Sequence, residues 1–552
     1  MTLDAKADAA PDTYDASLET RAPDEAETSA ALNANMRQIQ ETTFADYGHA
    51  LRSVHAKSHA LIQGGLRVLD GLPRELAQGM FARPATYPVI LRLSTNPGDV
   101  LDDSVSSPRG MAIKVIGVEG ERLPGSEGDR TQDFVMANAP AFAAPDPKAF
   151  AANLSLLAAT TDTGQAWKKA FSAALRGAES AVEALGGKSP TLTSLGGQPI
   201  THPLGETFYT QTPFRHGDQV AKLSLAPVSS GLRALAGRPV DVRGRPNGLR
   251  EEVIAFLRDH EAEWELRVQL RTNPGTMPVE DASVPWPEEE SPYIAVARIT
   301  APRQPAWNEA RAGQVDDGLA FSPWHGLAAH RPLGGVNRVR KEAYEGAAAF
   351  RGQKNRCPIA EPSPDLRLDH GAAVTYGTAP GREGRRPNTP DARPGTIGQP
   401  LNETMRHAAG GAAGGLAAGV LLSGIIAGMG AAQGRASELV TLERRTLRRP
   451  ERPETSGAVG EEMLAHGGHL ALSAIAGAGY GAVHRGEGSP LAAGLAFGVG
   501  FWALAYGAVG PSLGVTPKPW RDSPSSLAQH AMLHALFGVA TALAAERIAP
   551  RL

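Results

Sequence analysis

The distribution of charged residues changes sharply near residue 406, and this change constrains the fold more than any other feature. Four runs that contain no Asp, Glu, Lys or Arg follow it, at 407–434, 463–484, 488–517 and 523–545. A membrane-spanning helix needs about 20 mainly apolar residues. Two of the runs also carry small residues four positions apart, which lets helices approach closely in lipid. We therefore expect residues 407–552 to form an all-α transmembrane bundle of about four helices, with a soluble Ala/Gly-rich bundle as the alternative.

Composition divides the rest of the chain into three parts. Residues 1–35 are acidic, rich in Ala and poor in large apolar side chains, which predicts a disordered tail. This tail has neither the basic start nor the apolar core of a signal peptide. Residues 36–357 have the mixed composition of a globular domain. Residues 358–406 are rich in Pro, Gly and Arg, which predicts a linker.

Overall charge and cysteine content exclude several classes of protein. The chain has 552 residues and a net charge of −3, which argues against a dedicated nucleic-acid-binding protein. Its single cysteine, Cys357, excludes internal disulfides and cysteine-ligated metal sites and suits a reducing compartment. We therefore expect the globular domain to be cytoplasmic.

The globular domain alternates between short strands and helices. The segments YPVILRLST and RGMAIKVIG are β-branched and bounded by Pro, Gly or Asp, as strands usually are. Four more predicted strands follow residue 205, and they are ETFYTQTPF, QVAKLSLAPV, WELRVQLRT and IAVARIT. AWKKAFSAALRGAESAVEAL and NRVRKEAYEGAAAFR have helical periodicity. This pattern predicts an α+β fold that contains an antiparallel barrel.

The segment RKEAYEGAAAFR places one tyrosine between two arginines on the same helix face. Arg340 lies four residues before Tyr344, and Arg351 lies seven residues after it. A cation beside a phenol favours the ionised form, and the resulting oxygen anion suits ferric iron. An isolated pair of this kind is more often an ordinary half-buried helix face, so the interpretation depends on the other motifs.

Those motifs form an ordered series. RSVHAK is followed by LRLST, SPRGMAIK, QDFVMANAPAF, PDPKAF, LAFSPWH and finally the tyrosine helix. Taken together, residues 40–352 resemble the haem catalase family, and most closely its small, divergent catalase-like peroxidases. The resemblance implies a catalase-like antiparallel barrel with helices, haem b as cofactor and a peroxide as substrate.

The resemblance also assigns residues on the iron and propionate side of the haem. Tyr344 corresponds to the proximal iron ligand, which is a tyrosine in catalases. Arg340 would keep that tyrosine ionised. Arg351, Arg52 and Arg92 occupy the positions of arginines that bind haem propionates, a role that suits the forked guanidinium group.

On the distal side of the haem, the resemblance assigns His55 as the residue that moves the peroxide proton. Ser94 would orient this imidazole, Phe150 would stack over the haem and Phe142 would line the pocket.

Two distal positions depart from the family pattern. The position of the distal amide is Ala137, so Asn138, the second candidate catalytic residue, reaches the pocket only if the strand bulges. Ser107 replaces the usual aspartate before Pro-Arg-Gly. Both changes favour a slower peroxidase over rapid dismutation of hydrogen peroxide.

These assignments predict a haem-dependent catalase-like peroxidase at a membrane, acting on hydrogen peroxide or organic hydroperoxides. Two alternatives remain: an enzyme that rearranges fatty-acid hydroperoxides, and a membrane-anchored haem-binding protein without turnover. The expected partners are the peroxide, a small-molecule or membrane reductant and lipid, and homo-oligomerisation is left open.

The membrane part raises two further questions. The arginine-rich loop that follows the first run would face outward if the haem domain were cytoplasmic, against the positive-inside tendency. The C-terminal histidines, such as His530 and His534, lie near span ends, where interfacial solvation explains them, and ligation of a second haem is the alternative.

Overall fold

The computed structural model describes residues 10–160 and 200–369, selected positions within 407–422 and 473–484, and then 489–505 and 524–548. These residues belong to two compact units, one N-terminal and one C-terminal. The predicted helix AWKKAFSAALRGAESAVEAL lies outside the described residues, as does most of the first two uncharged runs.

Nine strands among the described residues form one antiparallel sheet. Eight of them close into a barrel, because β5 pairs with both β4 and β7 and β1 pairs with both β2 and β9. β6 pairs with β7 outside this ring. The strands are β1 Lys57–Val68, β2 Thr86–Thr95, β3 Arg109–Ile116, β4 Thr131–Ala137, β5 Phe208–Tyr209, β6 Phe214–His216, β7 Gln219–Pro227, β8 Ala262–Leu270 and β9 Ile294–Ala301. The prediction of an α+β fold with an antiparallel barrel is confirmed.

Alternation along the strands separates a packed apolar interior from an outer face that carries both polar and apolar side chains. In β2, Leu91 and Leu93 point into the main hydrophobic core, whereas Arg92 and Ser94 point outward. Successive side chains on a strand face opposite sides of the sheet, so this separation follows from the sequence order. The barrel interior is therefore filled by side chains, and a ligand site has to lie on its outer face.

Helices cover that outer face and form the second unit. They are α1 Glu25–Tyr47, α2 Pro147–Thr160, α3 Ser230–Arg233, α4 Gly248–Asp259, α5 Glu309–Ala312, α6 Gly335–Asn355, α7 Pro490–Leu504 and α8 Pro524–Ile548. Short 3-10 turns occur at Ala16–Leu18, Gly79–Phe81, Pro203–Gly205 and Ala328–His330. A π-turn at Gly313–Asp317 continues α5. α1, α2 and α6 pack together through one apolar cluster that includes Leu32, Ile39, Leu154 and Val339.

The prediction of a disordered tail is wrong for residues 10–35. Asp12 accepts a hydrogen bond from Arg271 at 2.6 Å, and Glu19 accepts one from Arg338 at 2.9 Å. The acidic residues that suggested disorder are therefore counter-ions for arginines far away in the sequence. Composition alone does not reveal such partners.

The prediction of a linker that begins at residue 358 is also wrong, because residues 358–369 pack on the barrel domain. Leu368 is buried in the cluster that contains Leu61 and Ile90. Its backbone N–H donates to the side chain of Gln63 at 2.9 Å. Two leucines among prolines and arginines help to anchor this segment, and an average over composition does not reveal them.

The C-terminal unit contains two helices in close contact through glycines. A side chain at Gly494 would overlap the backbone of Gly538, and one at Gly498 would overlap that of His534. Large apolar side chains of the pair are exposed, and these are Leu491, Leu495, Val499, Leu504, Met532, Leu536 and Leu543. One helix among the described residues, Leu527–Glu546, is long and apolar enough to cross a membrane. The described residues thus contain one candidate span and leave the predicted four-helix bundle unconfirmed.

Two buried histidines predict acid sensitivity of the barrel domain. His216 and His330 have ring centroids 5.5 Å apart, and burial lowers the pKa of His216 to about 4 from 6.5. Between these pH values the unfolded chain binds more protons than the folded one. The free energy of unfolding should therefore fall as pH decreases from about 6.5 to about 4, by up to about 1.4 kcal/mol per pH unit for this group.

Urea unfolding at pH 7, 6 and 5 measures this dependence. His216→Gln should make it less steep, whereas His260→Gln, which changes an exposed histidine, should leave it unaltered. Equal slopes for His216→Gln and the unmodified protein would contradict the assignment.

Candidate active site

A cavity that is partly open to solvent lies between the outer face of the barrel and helices α1 and α6. The side chains that line it come from β2, β3, β4, both helices and two connecting segments. Six of the predicted site residues are near each other here, since Arg52, His55, Arg92, Ser94, Tyr344 and Arg351 all line the cavity.

Tyr344 enters the cavity from α6 with its predicted partner beside it. Arg340 is buried, and its Nη2 donates to the phenol oxygen of Tyr344 at 3.0 Å. Asn337 holds the other arm of this guanidinium by accepting from Nη1 at 3.0 Å. The three residues lie on one helix face at spacings of three and four, so helical geometry alone brings them together. The phenol oxygen is thus presented to the cavity with a fixed cation at its side.

His55 lies on the segment before β1 in a backbone conformation that is unusual for its residue type. Its φ angle is 53°, in the left-handed region that non-glycine residues rarely adopt. Nδ1 of His55 is 3.3 Å from Oγ of Ser94, and Ser94 Oγ is 3.4 Å from the carbonyl oxygen of Gly110. When the hydroxyl donates to that carbonyl, Nδ1–H donates to the hydroxyl. The lone pair of the ring is then on Nε2.

The absence of a side chain at Gly110 makes room for this imidazole. A Cβ at residue 110 would lie 2.7 Å from ring atoms of His55, closer than real contacts allow. Ser94 and Gly110 are paired across β2 and β3, so the strand register places both beneath the ring.

The surroundings of His55 disfavour its protonated form. Burial lowers its pKa to about 3, and the positive charges of Arg92 and Arg340 contribute in the same direction. The ring is therefore neutral near pH 7 and has a nitrogen lone pair available to accept a proton.

Three arginines meet at one end of the cavity around Asp316. Arg92 Nε donates to Asp316 Oδ1 at 2.7 Å, and Arg52 Nη1 lies 3.3 Å from the same oxygen. Arg351 and Arg52 both donate to the carbonyl oxygens of Asp316 and Leu319. This end of the cavity is therefore strongly cationic and suits an anionic ligand.

Two observations show that these residues fit a haem. Arg351 is buried, and its Nε has no hydrogen-bond partner among the described residues, so one donor in the cationic end remains available. The donor set also combines a phenol oxygen with a neutral imidazole in the lining of one cavity, which suits an iron porphyrin. Tyr344 could ligate the iron, while Arg52, Arg92 and Arg351 could hold the carboxylates.

Asn138, predicted as a catalytic residue, does not line the cavity. Its Oδ1 accepts from the backbone N–H of Arg109 at 3.0 Å, and its Nδ2 donates to Glu206 at 2.9 Å. Ala137 pairs with Gly110 and lies two residues from Val135, which lines the cavity. Alternate residues of a strand share a face, so the side chain of residue 137, and not that of residue 138, is on the face of the cavity.

The two predicted aromatic residues lie just outside the lining. The rings of Phe142 and Phe150 pack edge to face with centroids 4.9 Å apart. Phe150 and Val54 both pack against the apolar cluster that contains Met36, and Met36 and Val54 line the cavity. The structure therefore places the pair behind the cavity wall.

Sequence reasoning missed two residues of the site. Asp316 lies in an unremarkable stretch, QVDDG, and nothing in its local pattern indicates that three distant arginines converge on it. Gly110 belongs to SPRGMAIK, where a glycine inside a strand pattern can signal close approach of another group. That signal could have identified Gly110.

A second group of potential metal ligands lies elsewhere, at Asp129, His325 and Glu361. Burial alone would lower the pKa of His325, but hydrogen bonds with Asp133 and Glu361 outweigh burial and raise it to about 9. A protonated imidazole has no lone pair for a metal. We interpret the group as an ion-pair network that anchors the segment around Glu361, whose Oε1 also accepts from the backbone N–H of Arg130 at 2.8 Å.

No family model and no curated protein sequence matches the chain. Solved structures similar to it include a fungal catalase, with 15% identity and a TM-score of 0.43, which covers 81% of this chain and 90% of its own. Catalase A from Saccharomyces cerevisiae has 13% identity and a TM-score of 0.41, with 92% and 91% covered. A bacterial catalase has 14% identity and a TM-score of 0.41, with 80% and 89% covered. Because all three scores are below 0.5, the fold is assigned from its strand pairing and not from these similarities.

The contact between Gly110 and His55 predicts the effect of a single added methyl group. Gly110→Ala should displace the imidazole and break its contact with Ser94, and a crystal structure of the variant measures both. Gly65→Ala is the matched control, because Gly65 is also a strand glycine and a Cβ there would meet no atom within 4 Å. An unmoved His55 in Gly110→Ala would contradict the steric argument.

Proposed function

We propose that this protein is a haem-dependent enzyme that reduces or decomposes peroxides, with Tyr344 as iron ligand and His55 as the group that moves the peroxide proton. The observation that carries the proposal is the convergence of Tyr344–Arg340, His55–Ser94 and a three-arginine cluster on one cavity. The ordered series of catalase-like motifs and the antiparallel barrel support the same function.

The haem, when bound, supplies the iron that accepts electrons from the reducing substrate and delivers them to the peroxide O–O bond. Tyr344 holds the iron through its phenol oxygen. Arg340 stabilises the negative charge on that oxygen through the hydrogen bond at 3.0 Å. Arg52, Arg92 and Arg351 would hold the carboxylates of the haem through their forked guanidinium groups.

His55 moves the proton of the bound peroxide. Nε2 of the neutral imidazole accepts a proton from one peroxide oxygen and returns it to the other as the O–O bond breaks. Burial lowers the pKa of His55 to about 3, so the ring is neutral and its Nε2 lone pair is available before the proton is transferred. The contact of Nδ1 with Ser94 keeps Nε2 directed away from the barrel wall.

Two features of the cavity favour organic hydroperoxides as substrates and disfavour rapid dismutation of hydrogen peroxide. The wall of the cavity is largely apolar and includes Met36, Val54, Ala112 and Val135. Residue 137, which is on the face of the cavity, is an alanine and therefore offers no side-chain amide. A peroxide with an alkyl group gains burial energy from such a wall, whereas hydrogen peroxide loses a hydrogen-bond partner.

We also propose that the C-terminal unit attaches the enzyme to a membrane, with the haem domain on the cytoplasmic side and a small-molecule or membrane-soluble reductant as electron donor. Exposed Leu491, Leu495 and Leu536 on the glycine-packed pair α7–α8 support this proposal. Apolar side chains of this size, exposed together on one helix pair, suit contact with lipid.

The first test replaces the iron ligand. Tyr344→Phe removes the phenol oxygen and little else, so it should lose haem or change the spin state of the iron. Absorption spectroscopy of the purified full-length protein measures both. Tyr47→Phe is a control at a tyrosine that does not line the cavity. An unaltered haem content and spectrum in Tyr344→Phe would exclude the ligand assignment.

The second test concerns the distal amide. Ala137→Asn should raise oxygen evolution from hydrogen peroxide, and by more than it raises turnover of an organic hydroperoxide. One well-placed donor is worth about 10²–10³-fold in rate where charge develops. Asn138→Ala should change neither rate by more than about twofold. The opposite result, a loss only in Asn138→Ala, would mean that residue 138 serves the cavity after all.

The third test concerns membrane attachment. Full-length protein should sediment with membranes and require detergent for extraction, whereas Leu495→Lys together with Leu536→Lys should weaken this association because both side chains are exposed. Recovery of the unmodified protein in the supernatant after high-speed centrifugation without detergent would show that the unit is a soluble bundle.

A further inference from the structure

The cationic end of the cavity contains one carboxylate among three guanidinium groups. Arg92 and Arg351 are buried, and Arg52 is mostly buried. Three positive charges this close together repel each other strongly in a protein interior. Asp316 is the carboxylate in direct contact with them, so the group formed by these four side chains has a net charge of +2.

The position of Asp316 is fixed at both of its oxygens. Oδ1 accepts from Arg92 at 2.7 Å, and Oδ2 accepts from Ser58 Oγ at 2.6 Å. Ser58 Oγ in turn accepts from Nε1 of Trp307 at 2.9 Å. Burial opposes ionisation of Asp316, but Arg92 and Arg52 outweigh it and hold the pKa of this carboxyl below its usual range. The charge is therefore present under all ordinary conditions.

The local backbone explains why the carboxylate is there. Asp316 lies in the π-turn Gly313–Asp317, in which the N–H of Gly318 donates to the carbonyl of Gly313. The wider turn leaves the carbonyl oxygens of Val315, Asp316 and Leu319 free to accept from Arg52. π-turns occur frequently at functional sites. This one gives the arginines neutral acceptors and one carboxylate in direct contact.

We propose that Asp316 is a positioning residue that sets the net charge of the arginine site, so that the site selects a porphyrin with two carboxylates over porphyrins with none or four. The proposal rests on the proposed function. It adds that specificity for the number of carboxylates comes from a protein carboxylate that does not touch the porphyrin.

The experiment compares three iron porphyrins on the full-length protein. The probes are protoporphyrin IX, its dimethyl ester and coproporphyrin, which have two, zero and four carboxylates. Titrations followed by visible absorption give the ratios of their dissociation constants. The unmodified protein should bind the dicarboxylate at least tenfold more tightly than the ester.

Asp316→Asn keeps the shape and the acceptor oxygen but removes the charge. It should shift the ratio at least fivefold toward the tetracarboxylate, whereas Asp316→Glu, which keeps the charge, should preserve the ratio. Asp317→Asn is the comparison variant: its carboxylate accepts from His49 at 2.9 Å and acts on Arg52 and Arg351 without touching them, so its shift should be clearly smaller.

Each outcome decides one point. Failure of the unmodified protein to bind any porphyrin would contradict the proposed function. Normal binding with an unchanged ratio in Asp316→Asn, or an equal shift in Asp317→Asn, would overturn the role of Asp316 alone. If Asp316→Asn does not fold, Asp316→Asn combined with Ser58→Asp restores the net charge of +2 from the neighbouring side chain, because Ser58 Oγ lies 2.6 Å from Asp316 Oδ2. That double variant should fold and recover the original ratio, and its failure to do so would also overturn the proposal.

Discussion

The salt bridge between Arg92 on β2 and Asp316 in the π-turn is the interaction on which the cavity depends. It joins the barrel to the segment that leads into α6, across 224 residues of sequence. Arg92 also donates to the carbonyl oxygens of His55 and Ala56, so the same guanidinium supports the unusual backbone of the histidine. Loss of this bridge would leave a buried charge without its partner, which is far costlier than loss of an exposed pair. Arg92 therefore stabilises both the backbone of His55 and the arginine cluster.

The electrostatics of the cavity divide into two regions. Near His55 the walls are apolar and the imidazole is kept neutral by burial and by nearby cations. At the other end, arginines and Asp316 form a site for anions. A ligand that is largely apolar and carries carboxylates at one edge matches both regions, and the proposed porphyrin is such a ligand.

The C-terminal unit follows different packing rules. In the barrel, large side chains such as Trp264 and Phe134 fill the interior. In the pair α7–α8, glycines face each other and the large apolar residues face outward. The hydrophobic effect drives the first arrangement in water, whereas close backbone contact through small residues is typical of helices in lipid.

The sequence by itself determined what depends on local periodicity. Alternation along β2 places Arg92 and Ser94 on one face, and helical spacing brings Arg340 to Tyr344, so the barrel strands and this contact were predictable. Tertiary structure alone decided which distant groups meet. The acidic N-terminal residues are bound by arginines, Leu368 is buried on the barrel, Asn138 is held by Glu206, and Asp316 joins three arginines. Each of these depends on a partner tens to hundreds of residues away, and pairing at that range is set by the closed barrel and not by any pattern in the neighbouring sequence.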